Sequence, residues 1–229
     1  MAASAGKLTL VATPIGNLGD LSPRSVDALS AADLWLVEDT RVSGKLQAHL
    51  GIKKPMRVVN EHTSGSQIER HAEDLRKGLS AVLLTDGGTP GVSDPGALLT
   101  DLCHEEGVAV DAIPGPSAVT TALMLSGFFA QRFCFLGFLP RKPGAIRAEL
   151  TPFVDSTLTL VLFESPFRVE KLLPLIGETL GSRRYAICRE MTKLHQQVIR
   201  GKLPDLPQNG VIPQKGEFSL VVEGKRSQN

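Results

Sequence analysis

Short apolar runs rich in β-branched residues alternate, from one end of the 229-residue chain to the other, with segments whose apolar residues recur at helical spacing. That alternation limits the chain to βαβ units built on a largely parallel sheet. Strands are predicted at residues 8–12, 34–37, 56–59, 81–84 and 108–113. Between them, Ser22-Pro23 is a good N-cap and first-turn pair for a helix through Val26 and Leu29. A second helix is expected near Leu46, and Ile68, Ala72, Leu75 and Leu79 keep one face of a third that Gly78 is expected to end. The run 81–84 is wholly apolar, as expected of a strand buried on both sides.

No regular element crosses Pro114-Gly115-Pro116, which places a domain boundary there and divides the chain into residues 1–114 and 115–229. Beyond it the spacing predicts a helix from Ser117, a strand at 133–139, a helix at 146–153, a strand at 157–163 and a helix at 169–180. Strands at 185–188, 197–200 and 218–222 then follow without helices, which favours a mixed sheet. Residues 227–229 read as a frayed tail.

With 42% hydrophobic and 21% charged residues the chain can bury a real core. No apolar run approaches the roughly 20 residues that span a bilayer. The first six residues lack a basic stretch followed by an apolar one, so a cytoplasmic protein is expected. Cys103, Cys134 and Cys188 form no C-x-x-C pair and are odd in number, which suits buried, reduced and inert thiols. The five histidines share no metal-ligand spacing, His62 after Glu61 is a weak candidate base, and no metal site is expected. A net charge of +1 gives no global basic field. A nucleic acid would have to be held by local patches, for which Lys53-Lys54, Arg141-Lys142 and Arg183-Arg184 are candidates.

Polar residues and glycines crowd just after the apolar strands, where open α/β sheets place ligands. In the loop Thr85-Asp86-Gly87-Gly88-Thr89-Pro90, paired glycines admit a ligand close to the backbone and Asp86 offers a fixed anion. A cationic sulfonium cofactor suits that arrangement; a tight turn capped by Asp86 is the plainer alternative. A phosphate cradle fits less well, since no G-x-x-x-x-G-K-[ST] follows, and Gly16 and Gly19 make no G-x-G-x-x-G fingerprint. Glu38 and Asp39 are a candidate acid/base pair, or Asp39 forms a surface link with Arg41. Glu164 with Arg168, and Glu190 with Lys193, are charge pairs that either position a substrate or balance each other.

Eight segments, VATPIGNLGDLSPR (11–24), VEDTR (37–41), LTDGGTPGVSDPG (84–96), PGPSA (114–118), FLGFLPRK (135–142), FESPFR (163–168), REMTK (189–193) and KGEFSLVVEG (215–224), lie in the order found in one family. The chain resembles the tetrapyrrole methylase fold, and within it the ribosomal RNA small subunit methyltransferase I branch, along nearly its whole length. The resemblance implies an α/β protein of two domains, the first with a mostly parallel sheet and the second with a mixed one. It implies a homodimer that binds S-adenosyl-L-methionine between the domains and methylates the ribose 2′-oxygen of a cytidine in 16S ribosomal RNA. Carried over by position, the cofactor wall would comprise Pro14, Asp86, Gly88, Thr89, Ser117, Ala118 and either Leu162 or Phe163.

A ribose hydroxyl must shed its proton during transfer. Glu38, Asp39 and Glu164, with Lys193 if its pKa is depressed, are the candidate bases, and Arg41 and Arg168, with Lys193, suit contacts to RNA phosphates. The chain departs from the family pattern at Asn60, at Phe167 where a histidine is usual, and at Gln196 and Gln197 where glutamates are common. Longer members also continue past the last strand into a small helical segment. Those departures keep two other readings open: a same-fold methyltransferase for a tetrapyrrole or other small acceptor, and a ribosomal RNA-binding protein without catalysis.

Overall fold

In the first half of the chain the central strands send alternate side chains to two buried faces, so helices cover the sheet on both sides. A computed structural model describes residues 6–208 and 210–226; residues 1–5, read above for a basic and apolar leader pattern, and the frayed tail expected at 227–229 lie outside the described residues. The chain divides into two compact units, Met1–Ser117 and Ala118–Asn229.

The first unit carries β1 (Lys7–Val11), α1 (Pro23–Ala31), β2 (Leu34–Val37), α2 (Thr40–Leu50), β3 (Met56–Val58), α3 (Gly65–Arg76), β4 (Ser80–Leu84), α4 (Ala97–Glu105) and β5 (Ala109–Ile113). Its five strands pair in the order β3-β2-β4-β1-β5, all in parallel. Leu8, Leu34, Leu36, Ala81 and Leu83 point to one face, where they meet Ile68, Ala72 and Leu75 of α3 and Leu99 and Cys103 of α4. Val11, Trp35, Val37, Val82 and Leu84 point to the other, against Leu29 of α1 and Leu46 of α2. Period-two burial on both faces locks the register, because a one-residue slip would exchange the two sets.

Local chemistry sets the helix ends. The Ser22 hydroxyl accepts the Ser25 N–H at 3.1 Å ahead of Pro23, Asp39 accepts the Arg41 N–H at 2.7 Å at the start of α2, and Gly51 closes α2 in the left-handed region. The third helix closes earlier than its spacing predicts, at Arg76, so Leu79 lies beyond it.

The second unit comprises α5 (Ala118–Ser126), β6 (Phe133–Phe138), α6 (Pro143–Leu150), β7 (Thr159–Glu164), α7 (Pro166–Leu180), β8 (Arg184–Arg189), β9 (Gln197–Lys202) and β10 (Phe218–Val222). The order is β6-β7-β10-β8-β9, with β6 and β7 parallel and the remaining pairs antiparallel, a mixed sheet. Leu160, Leu162, Ile187, Leu220 and Val222 pack on Ile146 and Leu150 of α6 and Val169, Leu173 and Ile176 of α7. The opposite face, with Cys188 bonded to the Ala122 carbonyl, is covered by α5. The predicted helix at 146–153 ends as an α-helix at Leu150 and continues as a single tighter turn, Thr151–Phe153.

Cys103 and Cys188 are fully buried, which pushes both thiols up to about 11, while Cys134 is partly exposed. Among the described residues no helix is long and apolar enough to cross a membrane.

Gly96 precedes α4 with φ +118, and a Cβ there would overlap the buried Leu83 side chain. Gly96→Ala is expected to cost about 1–3 kcal/mol of stability through its left-handed backbone alone, read as a lower urea midpoint with an unchanged slope.

Candidate functional site

The loops after β1 and β4 meet at the carboxyl end of the parallel sheet, where two neighbouring strands send their connections to opposite faces. Thr13 N–H donates to Gly88 O at 2.8 Å and Gly88 N–H returns a bond to Thr13 O at 3.0 Å. The Thr13 hydroxyl adds a bond to Thr85 O at 3.1 Å. Gly88 holds φ +100, and a Cβ on Gly87 would stand 3.2 Å from the Pro14 carbonyl. The paired glycines therefore let the two loops close on one another. On the far side the Thr89 hydroxyl donates to Pro116 O at 3.1 Å, bringing in the segment that leads to Ser117.

Glu38, at the end of β2, accepts the Asp86 N–H through Oε2 at 3.2 Å. Pro14, Glu38, Asp39, Arg41, Asp86, Gly88 and Thr89 are thus gathered at the carboxyl end of the first unit's sheet. The Asp86 carboxyl is raised above its ordinary value, first by desolvation and then by repulsion from Glu38 and Asp39. A cation beside Asp86 relieves that repulsion and an anion aggravates it, so this donor set fits a positively charged sulfonium and amino group and opposes a phosphate. Asp39 is both the N-cap of α2 and the partner of Arg41, whose guanidinium holds the carboxyl down at about 2. The surface link and the capping role coexist in one side chain.

Asp94 was not among the sequence candidates. It is half-buried in the loop that follows Gly88, after Ser93 at φ +62. Burial, then repulsion from Glu38, pushes its carboxyl up to about 6. The signal was present as a second aspartate, before Pro95-Gly96, in the matching segment 84–96.

In the second unit, Ala118 opens α5, and the side chains of Leu162 and Phe163 face opposite ways. Leu162 is sealed in the core, so its side chain cannot line a ligand surface, whereas Phe163 packs edge-on against Phe135 and Phe138 at centroid distances of 4.8 and 5.6 Å. Glu164 is 4% exposed; its Oε1 accepts the Ser165 N–H at 2.7 Å and its Oε2 lies 3.3 Å from the Arg168 guanidinium. Arg168 also donates to Leu139 O and Pro140 O at 3.1 and 2.8 Å, so the pair braces the start of α7 against the end of β6.

Lys193 does not meet the condition for a base. Burial draws its pKa down, but hydrogen bonds to Glu217 and Glu190 outweigh that and raise it overall, keeping the ammonium charged. Gln196 accepts the Thr192 N–H at 2.8 Å and Asn60 accepts the His62 N–H at 3.0 Å, so both departures hold local turns, while Phe167 is 67% exposed. Among the described residues no group of His, Cys, Asp and Glu is placed to hold a metal ion.

The profile of the tetrapyrrole (corrin/porphyrin) methylases matches residues 7–207. Ribosomal RNA small subunit methyltransferase I of Mycobacterium tuberculosis (strain ATCC 25618 / H37Rv) is 43% identical over 227 residues, spanning 96% of this chain and 79% of that protein. The chain belongs to this family. The Thermotoga maritima ribosomal RNA small subunit methyltransferase I is 41% identical over 96% of this chain and 99% of its own length. Among solved structures, the methyltransferase CobJ (TM-score 0.70, 16% identity, 97% of each chain) and diphthine synthase (0.67, 17%, 95% and 90%) share the tetrapyrrole methylase fold.

Asp94 gives a signed pH test. A folded-state pKa near 6 against an ordinary 3.8 means that the folded protein keeps a proton the unfolded chain has released, so this group's contribution to stability falls as pH rises through that window. Asp94→Asn, uncharged throughout, is expected to gain on the parent between about pH 4 and 6 and to keep a constant lead above it. Urea titrations across that range check it, and a pH-independent difference contradicts it.

Proposed function

We propose that this chain, acting as a cytoplasmic homodimer, transfers a methyl group from S-adenosyl-L-methionine to the ribose 2′-oxygen of a cytidine in 16S ribosomal RNA. The observation that carries this reading is the closed Thr13–Gly88 bridge, with Asp86 and Glu38 at its rim, in a chain more than 40% identical to ribosomal RNA small subunit methyltransferases I.

S-Adenosylmethionine supplies, when bound, an electrophilic methyl on a positively charged sulfur. Pro14, Asp86, Gly88, Thr89 and Ser117 are the first unit's groups for holding it: Asp86 sets a carboxylate against the donor's charge, and the bridge keeps the Gly87-Gly88 backbone in place without further ordering on binding. Positioning of nucleophile and donor is worth several kcal/mol of barrier, and rigid loop geometry serves that end.

Of the four candidate bases, Asp39 is pinned by Arg41, Glu164 is buried against Arg168, and Lys193 stays protonated. Glu38 is half-exposed at the strand end with one oxygen engaged by the Asp86 N–H and is the group we assign to accept the ribose proton. Arg41, with a side chain 87% exposed, is the matching contact for a substrate phosphate, whereas the Arg168 donors are turned to backbone carbonyls.

Incubation with unmethylated small ribosomal subunits and methyl-labelled donor is expected to yield 2′-O-methylcytidine after nuclease digestion; label confined to bases, or to an added tetrapyrrole, overturns the assignment. Asp86→Asn is expected to weaken donor binding about tenfold or more in calorimetric titration, a loss of at least ~1.4 kcal/mol. Glu38→Gln is expected to leave KM near the parent value while kcat falls by about 10² to 10⁴.

A further inference from the structure

The chain's near-neutral net charge conceals a concentrated cationic face on the second unit. After α5 the backbone turns at Gly127 and presents Phe128 and Phe129. Phe128 is 6% exposed, because the guanidinium carbons of Arg184 on β8 and Arg200 on β9 lie 5.0 and 5.1 Å from its ring centroid. Phe129 is 50% exposed beneath Arg226 at 4.9 Å, and Phe133 is 43% exposed.

The β8–β9 register sets Arg184 directly opposite Lys202, and Arg200, two residues before Lys202, shares the same face. Like charges placed opposite each other on a strand pair are unfavourable unless something answers them. Glu223 answers Arg184 and Arg226, with bonds of 2.6 and 2.8 Å from their Nε atoms. Among the described residues neither Arg200 nor Lys202 forms an ion pair. Four cations therefore stand against one carboxylate, itself only 4% exposed. Of the Arg183-Arg184 pair, Arg183 contributes nothing to this face, since it is buried and donates to Val154 O.

We propose that this face grips the phosphodiester backbone of single-stranded ribosomal RNA, with Arg200 and Lys202 on phosphates and Phe129 and Phe133 stacking the intervening bases. The inference rests on the ribosomal RNA reading above and gives that substrate a landing surface. Arginine forks match phosphate oxygens, and a guanidinium already laid on an aromatic ring loses little further freedom when it does so. Cations interleaved with exposed aromatic rings form the surface that single strands need, since phosphates take the charge and every base offers a face to stack. A second copy of the chain, carrying the same four cations, would meet this face with like charge.

The test is binding of fluorescently labelled protein to isolated small ribosomal subunits across a rising potassium chloride series. Arg200→Gln/Lys202→Gln is expected to weaken binding and to flatten the plot of log affinity against log salt by about one to two units, as two lost phosphate contacts require. Phe129→Ala is expected to weaken binding about tenfold with the slope unchanged. An Arg70→Gln/Arg76→Gln control removes the same charge from α3, and donor titration and thermal melts verify that each variant is folded. The proposal is overturned if the slope of the double variant equals that of the parent, if the α3 control flattens it equally, or if the double variant changes only the sedimentation coefficient of the protein. A parent protein that binds no small subunit overturns the ribosomal RNA reading together with this face, whereas a parent that binds alongside an unaltered double variant overturns the face alone.

Discussion

Two backbone hydrogen bonds between Thr13 and Gly88 hold the site of the first unit together. They join loops from strands that are neighbours in the sheet but more than 70 residues apart in sequence. Because that junction is made by main chain, its geometry does not depend on rotamers, and the side chains of Asp86 and Glu38 are left free to face a ligand. The glycines are required for this closeness: Gly88 occupies a backbone region that resists side chains, and a methyl on Gly87 would crowd the Pro14 carbonyl.

The first sheet was legible because burial on both faces leaves a continuous apolar signature in its inner strands, as in residues 34–37 and 81–84. The Ser22-Pro23 start was legible for a local reason, since capping involves only near neighbours. The site was legible only as a set of loops. Choosing between Leu162 and Phe163 required knowing which face of β7 meets the core, and alternation alone supplies two faces without naming the inner one. The sign of the Lys193 shift depends on Glu217, far away along the chain and brought near by β10. Arg184, Arg200 and Phe128 likewise come together only through strand register, so the basic face was visible beforehand as one ambiguous Arg183-Arg184 pair.

Charge in this protein is segregated more than its total suggests. Glu38, Asp39, Asp86 and Asp94 lie together in the first unit, and burial, then repulsion among them, raises Asp86 and Asp94. Arg184, Arg200, Lys202 and Arg226 share one face of the second. A net charge of +1 is the remainder after such opposites cancel across the chain. On the proposed reading, a cationic donor would meet the acidic cluster and the backbone of a polyanion would find most of its counter-charge on the basic face, with Arg41 the cation placed beside the donor.

The strand order also dictates when the first unit can assemble. β1 lies between β4 and β5, with Lys7 paired to both Ser80 and Ala109. The earliest strand made by the ribosome must wait, without either neighbour, for the last two strands of its sheet. Closure of so long a loop precedes the contacts that reward it, and β1 gains its outer partner, the edge strand β5, only once Ile113 has been made.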